Sequence, residues 1–195
     1  MKIKDMALCA LFAAVIAVFS QIAIPLGAIP FSMGIFAVML CGVVLGSKRG
    51  VIAVLVYILI GAVGLPVFSG FRGGPQMLVG PTGGYITGYV LMALVIGLVS
   101  ERVSGSRWKT GSLTFLAILL GVAVCYLFGT VQFMIVGKKG FVTALTLCVV
   151  PFIGVDLVKS VIAAALGDTL RRSIGRLGVR TENRVDRLQA EKIQK

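Results

Sequence analysis

The stretch from Phe31 to Phe68, FSMGIFAVMLCGVVLGSKRGVIAVLVYILIGAVGLPVF, holds two apolar runs, 31–46 and 51–68, parted only by Ser47-Lys48-Arg49-Gly50. A helix needs roughly 20 mostly apolar residues to cross the hydrocarbon core. Two such runs joined by a short basic turn read as antiparallel spans, with the turn on the cytoplasmic side. Working outward, similar runs occupy 6–24, 83–100 and 112–136, followed by an apolar stretch from 141 to 167. The pattern predicts an all-α integral membrane protein with six transmembrane helices. Pro151 and Gly154 interrupt the last stretch, so the final helix is expected to begin near Pro151, with 141–150 a short re-entrant or interfacial segment. The first run lacks a small-residue cleavage site followed by a polar region, so it reads as the first span rather than a signal peptide.

Composition agrees. Of the 195 residues, 58% are apolar and 13% charged, against about 45–50% and about 25% in soluble domains. The mean hydropathy is +1.04. A soluble globular domain, a disordered chain and a disulfide scaffold are excluded. Six spans fill residues 1–170, leaving 171–195 as a basic cytoplasmic tail, so any energy source must be another chain.

Of the 19 basic residues, 15 fall on one side if the N-terminus is cytoplasmic: Lys2, Lys4, Lys48, Arg49, Arg102, Arg107, Lys109 and the eight from Arg171 onward. Arg72, Lys138 and Lys139 fall opposite, and Lys159 lies within a span. Both termini are therefore expected to be cytoplasmic. The asymmetry accounts for the net charge of +12, and no aromatic residues interleave with the basic ones as in a nucleic-acid-binding module. In the tail, Arg172, Arg176, Arg180 and Arg184 recur every four residues. If helical, they share a face suited to anionic membrane lipid; a solvated extension weakened by Gly175 and Gly178 is the alternative.

The chain has no histidine, which removes the commonest general base and metal ligand. Cys9, Cys41, Cys125 and Cys148 lie singly in apolar runs and read as small buried hydrophobes. Among the acidic residues only Asp156 falls inside a span, and Lys159 follows three residues later on the same helical face. A charge in the hydrocarbon costs about 2.5–3.5 kcal/mol on insertion scales, so an intramembrane pair is a functional-site hypothesis by default. Mutual neutralisation between helices is the plainer reading. A helix starting near Pro151 puts the pair in the outer part of the membrane.

The connection from Gly64 to Tyr85 holds seven glycines and three prolines before Tyr85, so it is no continuous helix, yet it is too apolar for an ordinary solvated loop. Such backbone is tolerated at membrane level where it lines a cavity. A lid is one reading and a flexible outer turn the other. Gly80-Pro-Thr-Gly-Gly84 is not a Walker motif, and none occurs elsewhere, so the chain is not expected to hydrolyse ATP. One intramembrane acid also gives poor support to ion-coupled transport. On the first span Ala7, Ala10, Ala14 and Ala17 share a face, with Ala10/Ala14 and Ala13/Ala17 forming small-xxx-small pairs that suit close helix packing or a protein partner. Gly42xxxGly46 and Gly84xxxGly88 suit internal packing.

Gly64-Leu-Pro-Val-Phe68, Gly73-Gly74, Gly80-Pro-Thr-Gly-Gly-Tyr85 and Pro151-Phe-Ile-Gly-Val-Asp-Leu-Val-Lys159 together resemble the BioY family across residues 4–170. Its members are biotin-specific substrate-binding (S) components of energy-coupling factor (ECF) transporters. The resemblance implies a six-helix S-component bundle in a prokaryotic plasma membrane, an outward-facing vitamin site under a loop, and no enzymatic activity of its own. By the same resemblance, Ala10 and Ala14, with Ala13 and Ala17 beside them, dock a transmembrane coupling subunit served by two ATPase subunits. No cofactor is implied, biotin being the cargo. Candidate substrate-binding residues are Asp156 and Lys159 and, along the loop, Phe68, Arg72, Gly74, Gln76, Gly80, Thr82, Gly83, Gly84 and Tyr85.

Biotin suits these groups. Its ureido ring offers N–H donors and a carbonyl acceptor to Asp156 and Lys159, so a charge-balanced pair holds a neutral head. The valeryl carboxylate then meets Arg72 or loop N–H groups; alternatively, Lys159 takes the carboxylate. Competing readings are an S component for another vitamin, such as thiamine or riboflavin, a solitary biotin facilitator, a membrane enzyme, which would need more convergent acids or histidines, and a purely structural partner, which would not need the Asp-Lys pair.

Overall fold

The computed structural model describes residues 3–24, 29–102 and 107–193. Helix α1 (Ile3–Gln21) leads into a two-stranded antiparallel hairpin, β1 (Ala23–Ile24) and β2 (Phe31–Ser32), in which Ala23 faces Ser32 and Ile24 faces Phe31. Then come α2 (Gly34–Ala62), a single turn α3 (Gln76–Val79), α4 (Gly83–Arg102), α5 (Arg107–Gly137), the short α6 (Phe141–Cys148) and α7 (Val150–Ile193). Among the described residues, five helical segments are long and apolar enough to cross a membrane: Ile3–Gln21, Gly34–Ala62, Gly83–Arg102, Thr110–Gly137 and Val150–Arg171.

α2 is folded back on itself. Gly46 has φ +78° and ψ −170°, which no helix contains. A β-carbon on Gly50 would lie 3.6 Å from Gly42 Cα, whereas eight residues of straight helix span about 12 Å. Ser20 of α1 meets both limbs: its hydroxyl lies 3.1 Å from the Tyr57 hydroxyl and against Gly34. The limbs on either side of Gly46 fall within the expected runs 31–46 and 51–68, but the first begins only at Gly34, because Phe31 and Ser32 pair with Ile24 and Ala23 in the hairpin. The second ends earlier than its apolar pattern, near Val63, because Gly64 turns away at φ +114° and Pro66 follows. Glycine suits position 46 because φ +78° with ψ −170° strains any residue with a side chain, and the Glu101 carboxylate lies where a β-carbon would go.

Every residue from Gly34 to Ser47 is buried, which makes the first limb the central post of the bundle. α1, α4 and α7 pack around α2, and α5 packs along α4. Close approach rests on glycines, as lipid-embedded bundles require: Gly42 lies against Ala93 and Ile96, and Gly88 against Cys125. Gly84 packs likewise, so the second glycine pair serves internal packing, and Gly46 makes the turn.

Polar contacts gather at one end of the bundle. Arg49 pairs with Asp5 at 3.2 Å. The Glu101 carboxylate accepts from the Ser47 N–H at 2.8 Å and from its hydroxyl at 2.9 and 3.1 Å, capping the second limb. Arg171 donates to the Ser100 carbonyl near the end of α4. The opposite end carries the β-hairpin and the connection 63–82. As expected, the chain breaks before Pro151: α6 stops at Cys148 and Val149 leaves the helix at φ −125°, ψ −55°. α7 then runs unbroken past residue 170 to Ile193. Lys2 lies outside the described residues, and so do the side chains of Arg107, Lys109 and the tail arginines at 172, 176, 180 and 184.

Candidate ligand-binding site

A cavity of about 720 Å³, counting its open mouth, lies at the loop end of the bundle among α2, α4, α5, α7, β2 and the connection. Asp156 and Lys159, in the second and third turns of α7, are 5% and 4% exposed and paired at 3.0 Å. The sequence places them together because residues three apart share a helical face. Asp156 Oδ2 accepts from the Tyr126 hydroxyl at 2.5 Å. Lys159 donates to the Ser32 carbonyl at 3.0 Å, and its Nζ lies 3.8 Å from the centre of the Phe31 ring. Phe31 in turn stacks on Phe152, 6.1 Å between centres. Lys159 therefore pins β2 to α7.

Asp156 Oδ1 stands apart. It is within ion-pair distance of Lys159, yet it is buried and accepts no directed hydrogen bond. A buried acceptor left in that condition costs about 1–3 kcal/mol, more for a charged group, and Asp156 is one of the residues that line the cavity.

All four tyrosines of the chain line this cavity: Tyr57, Tyr85, Tyr89 and Tyr126. Their rings supply apolar wall, and the hydroxyls of Tyr57, Tyr85 and Tyr126 are hydrogen-bonded. Tyr85 donates to the Cys148 carbonyl at 3.0 Å, and its ring meets Tyr126 edge to face at 6.5 Å. Tyr57 meets Phe68 edge to face at 5.5 Å. Phe68 is fully buried, its ring filling the space beside Gly61 where any side chain would clash.

Of the residues anticipated from sequence, the structure brings Phe68, Arg72, Thr82, Tyr85, Asp156 and Lys159 to the cavity wall. Gly74, Gln76, Gly80, Gly83 and Gly84 lie behind it and shape the connection. Gly74 N–H donates to Gly61 O at 2.7 Å, and the Gln76 amide donates to Gly73 O at 2.8 Å. Gln132 of α5 donates to Leu78 O at 2.8 Å and Gly80 O at 2.9 Å. Gly83 and Gly84 let the start of α4 press against the backbone at Leu78 and Phe128. On α1, Ala10 and Ala14 are exposed, Ala17 is half-buried and Ala13 is buried against the core.

Sequence reasoning missed Tyr126, Tyr57 and Tyr89, which a search for amphipathic rings inside spans would have flagged. It also missed Phe31 and the Ser32 carbonyl; a main-chain acceptor leaves no signal in residue type.

The wall carries one neutralised ion pair and one further cation, Arg72, which has no carboxylate partner among the described residues. Such a site fits a ligand with a neutral hydrogen-bonding head, an apolar body and one negative charge. Residues 1–176 match the family model described as the BioY family. The biotin transporter BioY of Thermotoga maritima is 41% identical over 164 residues, 83% of this chain and 92% of that protein. The probable biotin transporter BioY of Pyrococcus horikoshii is 37% identical over 171 residues, 88% and 98% of the two chains. Among solved structures, an S-component for biotin from an ECF-type ABC transporter matches with a TM-score of 0.81 at 26% identity, covering 88% of this chain and 92% of that one.

Proposed function

The chain belongs to the BioY family, and from that premise we propose that it is the biotin-binding S component of an ECF-type transporter, with the cavity above α7 as its vitamin site. The observation that carries this reading is the buried Asp156–Lys159 pair on the cavity wall, in which Oδ1 of Asp156 accepts no hydrogen bond. A ureido N–H donates to that oxygen, and an ammonium hydrogen of Lys159 meets the ureido carbonyl. The tyrosine rings and Phe68 cover the thiophane ring and alkyl chain.

The valeryl carboxylate goes to Arg72. Placed at Lys159 instead, it would stand beside the Asp156 carboxylate, and like charges at such range repel strongly in a low dielectric. Gly74, Gln76, Gly80, Thr82, Gly83 and Gly84 act by holding the loop over the ligand. The protein crosses the prokaryotic plasma membrane six times, the two limbs of α2 counting separately. The basic residues collected at the Asp5–Arg49 end support placing both termini in the cytoplasm.

The exposed Ala10–Ala14 face of α1 docks the coupling subunit, with Ala17 at its edge, while Ala13 packs inside. ATP hydrolysis belongs to two partner subunits, biotin is cargo rather than cofactor, and the basic segment 171–195 lies against anionic lipid. The test is equilibrium binding of biotin, thiamine and riboflavin to the purified chain in detergent, with Asp156→Asn and Lys159→Ala alongside. Biotin alone is expected to bind, with at least about a hundredfold loss in each variant. A folded protein that ignores biotin, or variants that bind it unchanged, would overturn the reading.

A further inference from the structure

The cavity has a strap, and one residue outside the cavity holds it. Residues 65–73 form a loop whose two ends meet: the Leu65 N–H donates to Ile60 O at 3.3 Å and the Gly74 N–H to Gly61 O at 2.7 Å, both carbonyls on the last turn of α2. Glycines in the left-handed region, Gly64 at φ +114° and Gly74 at φ +100°, flank the loop. Such positions swing more readily than those carrying a side chain.

The tip is a tight hairpin in which Phe68 and Arg72 exchange backbone hydrogen bonds at 2.9 and 3.3 Å. Phe68, Ser69 and Arg72 all face the cavity. The turn between them includes Phe71 at φ +57°, a conformation an L residue rarely adopts without support. That support is Gln21, the last residue of α1. Its Oε1 accepts the Phe71 N–H at 2.9 Å, and its Nε2 donates to Pro66 O at 3.3 Å and to Ala17 O at 3.1 Å. One side chain thus grips both sides of the strap and ties it to the Ala17 carbonyl in the last turn of its own helix.

We propose that Gln21 is the positioning residue of this strap, holding the Phe68–Arg72 hairpin over bound biotin and setting how long the vitamin stays; this rests on the function proposed above. Gln21 touches no cavity atom. It acts on the ligand through the hairpin. It also shares a helical face with Ala10, Ala14 and Ala17, at spacings of four, three and four residues. A partner seated on that face therefore lies in line with the residue that holds the strap.

Two measurements on purified Gln21→Ala and Gln21→Glu test this. The first is the rate of biotin association and release by stopped flow. The second is amide hydrogen exchange at Phe71 without ligand. Gln21→Ala is expected to speed release about tenfold, equivalent to about 1.4 kcal/mol, with association within about twofold of the parent. Phe71 protection should be lost. Gln21→Glu keeps an acceptor for Phe71 but no donor for Pro66, so it should fall between the two, and it carries the test should Gln21→Ala not purify. Release unchanged within about twofold, or undiminished protection at Phe71, would overturn the proposal. A parent chain that binds no biotin would defeat the proposed function instead, and Phe71 exchange would still decide whether Gln21 holds the strap.

Discussion

Replacing the Asp156–Lys159 pair by apolar residues should separate what it does for the ligand from what it does for the fold. Both side chains are about 5% exposed and lie 3.0 Å apart. Removing one partner leaves a desolvated charge with incomplete compensation: Lys159 keeps only the Ser32 carbonyl and the Phe31 ring, or Asp156 keeps only the Tyr126 hydroxyl. Each single change, Asp156→Leu or Lys159→Met, is expected to cost about 3–5 kcal/mol. The double variant removes both charges and should recover most of that loss, because apolar substitutes often match a buried ion pair. Two deficits remain in it: the Tyr126 hydroxyl loses its acceptor, at about 1–3 kcal/mol, and the Ser32 carbonyl loses its Lys159 donor. Adding Tyr126→Phe should remove the first. Unfolding in micelles can be followed by circular dichroism and by the reaction of buried Cys125 with a thiol reagent, since that sulfur is inaccessible in the folded chain. The coupling energy of the cycle should be at least about 3 kcal/mol, the signature of residues in direct contact. Biotin binding should be absent in all of these variants, including the restabilised ones. Additive single losses, or biotin bound by the double variant, would refute the reasoning.

Two further outcomes follow from the geometry. Arg72→Ala should weaken biotin about fivefold, the modest effect of a solvated cation, while leaving the affinity for biotin methyl ester unchanged; an equal loss for acid and ester, measured by competition, would remove Arg72 from the carboxylate. Ala14→Trp should leave binding by the isolated chain within about twofold yet lower transport by the assembled system at least about tenfold, measured as uptake of labelled biotin in cells carrying the coupling module. Normal uptake would take the exposed face of α1 out of the docking surface.

The parts legible in the sequence are those where a residue type has few alternative uses inside a membrane. Asp156 and Lys159 were visible because a buried charge is expensive, and the structure pairs them. The break before Pro151 was visible because an internal proline ends a helix. The glycines were harder. A missing side chain admits a ligand, a neighbouring helix or a left-handed turn equally well, and Gly83 and Gly84 admit the carbonyls of Leu78 and Phe128. Gln21 and Gln132 gave no signal at all, because their partners are main-chain atoms of a loop whose path the sequence does not specify. The apolar pattern likewise could not tell the lipid-facing leucines of α5, such as Leu116 and Leu120, from the residues of α2 that no lipid touches.

That last distinction bears on how the protein enters its bilayer. The first limb of α2, from Gly34 to Gly46, is about 18 Å long at 1.5 Å per residue, well short of a hydrocarbon slab about 30 Å thick. Alone, it would leave backbone ends unsolvated and thin the membrane around it. Its apolar surface is met by protein on every side, so lipid supplies neither its solvent nor its depth. The limb is therefore unsuited to partition by itself as the chain leaves the insertion machinery. Its burial is complete only when α1, the second limb, α4 and α7 are packed around it, so the centre of the molecule is secured by segments that lie on both sides of it in the chain.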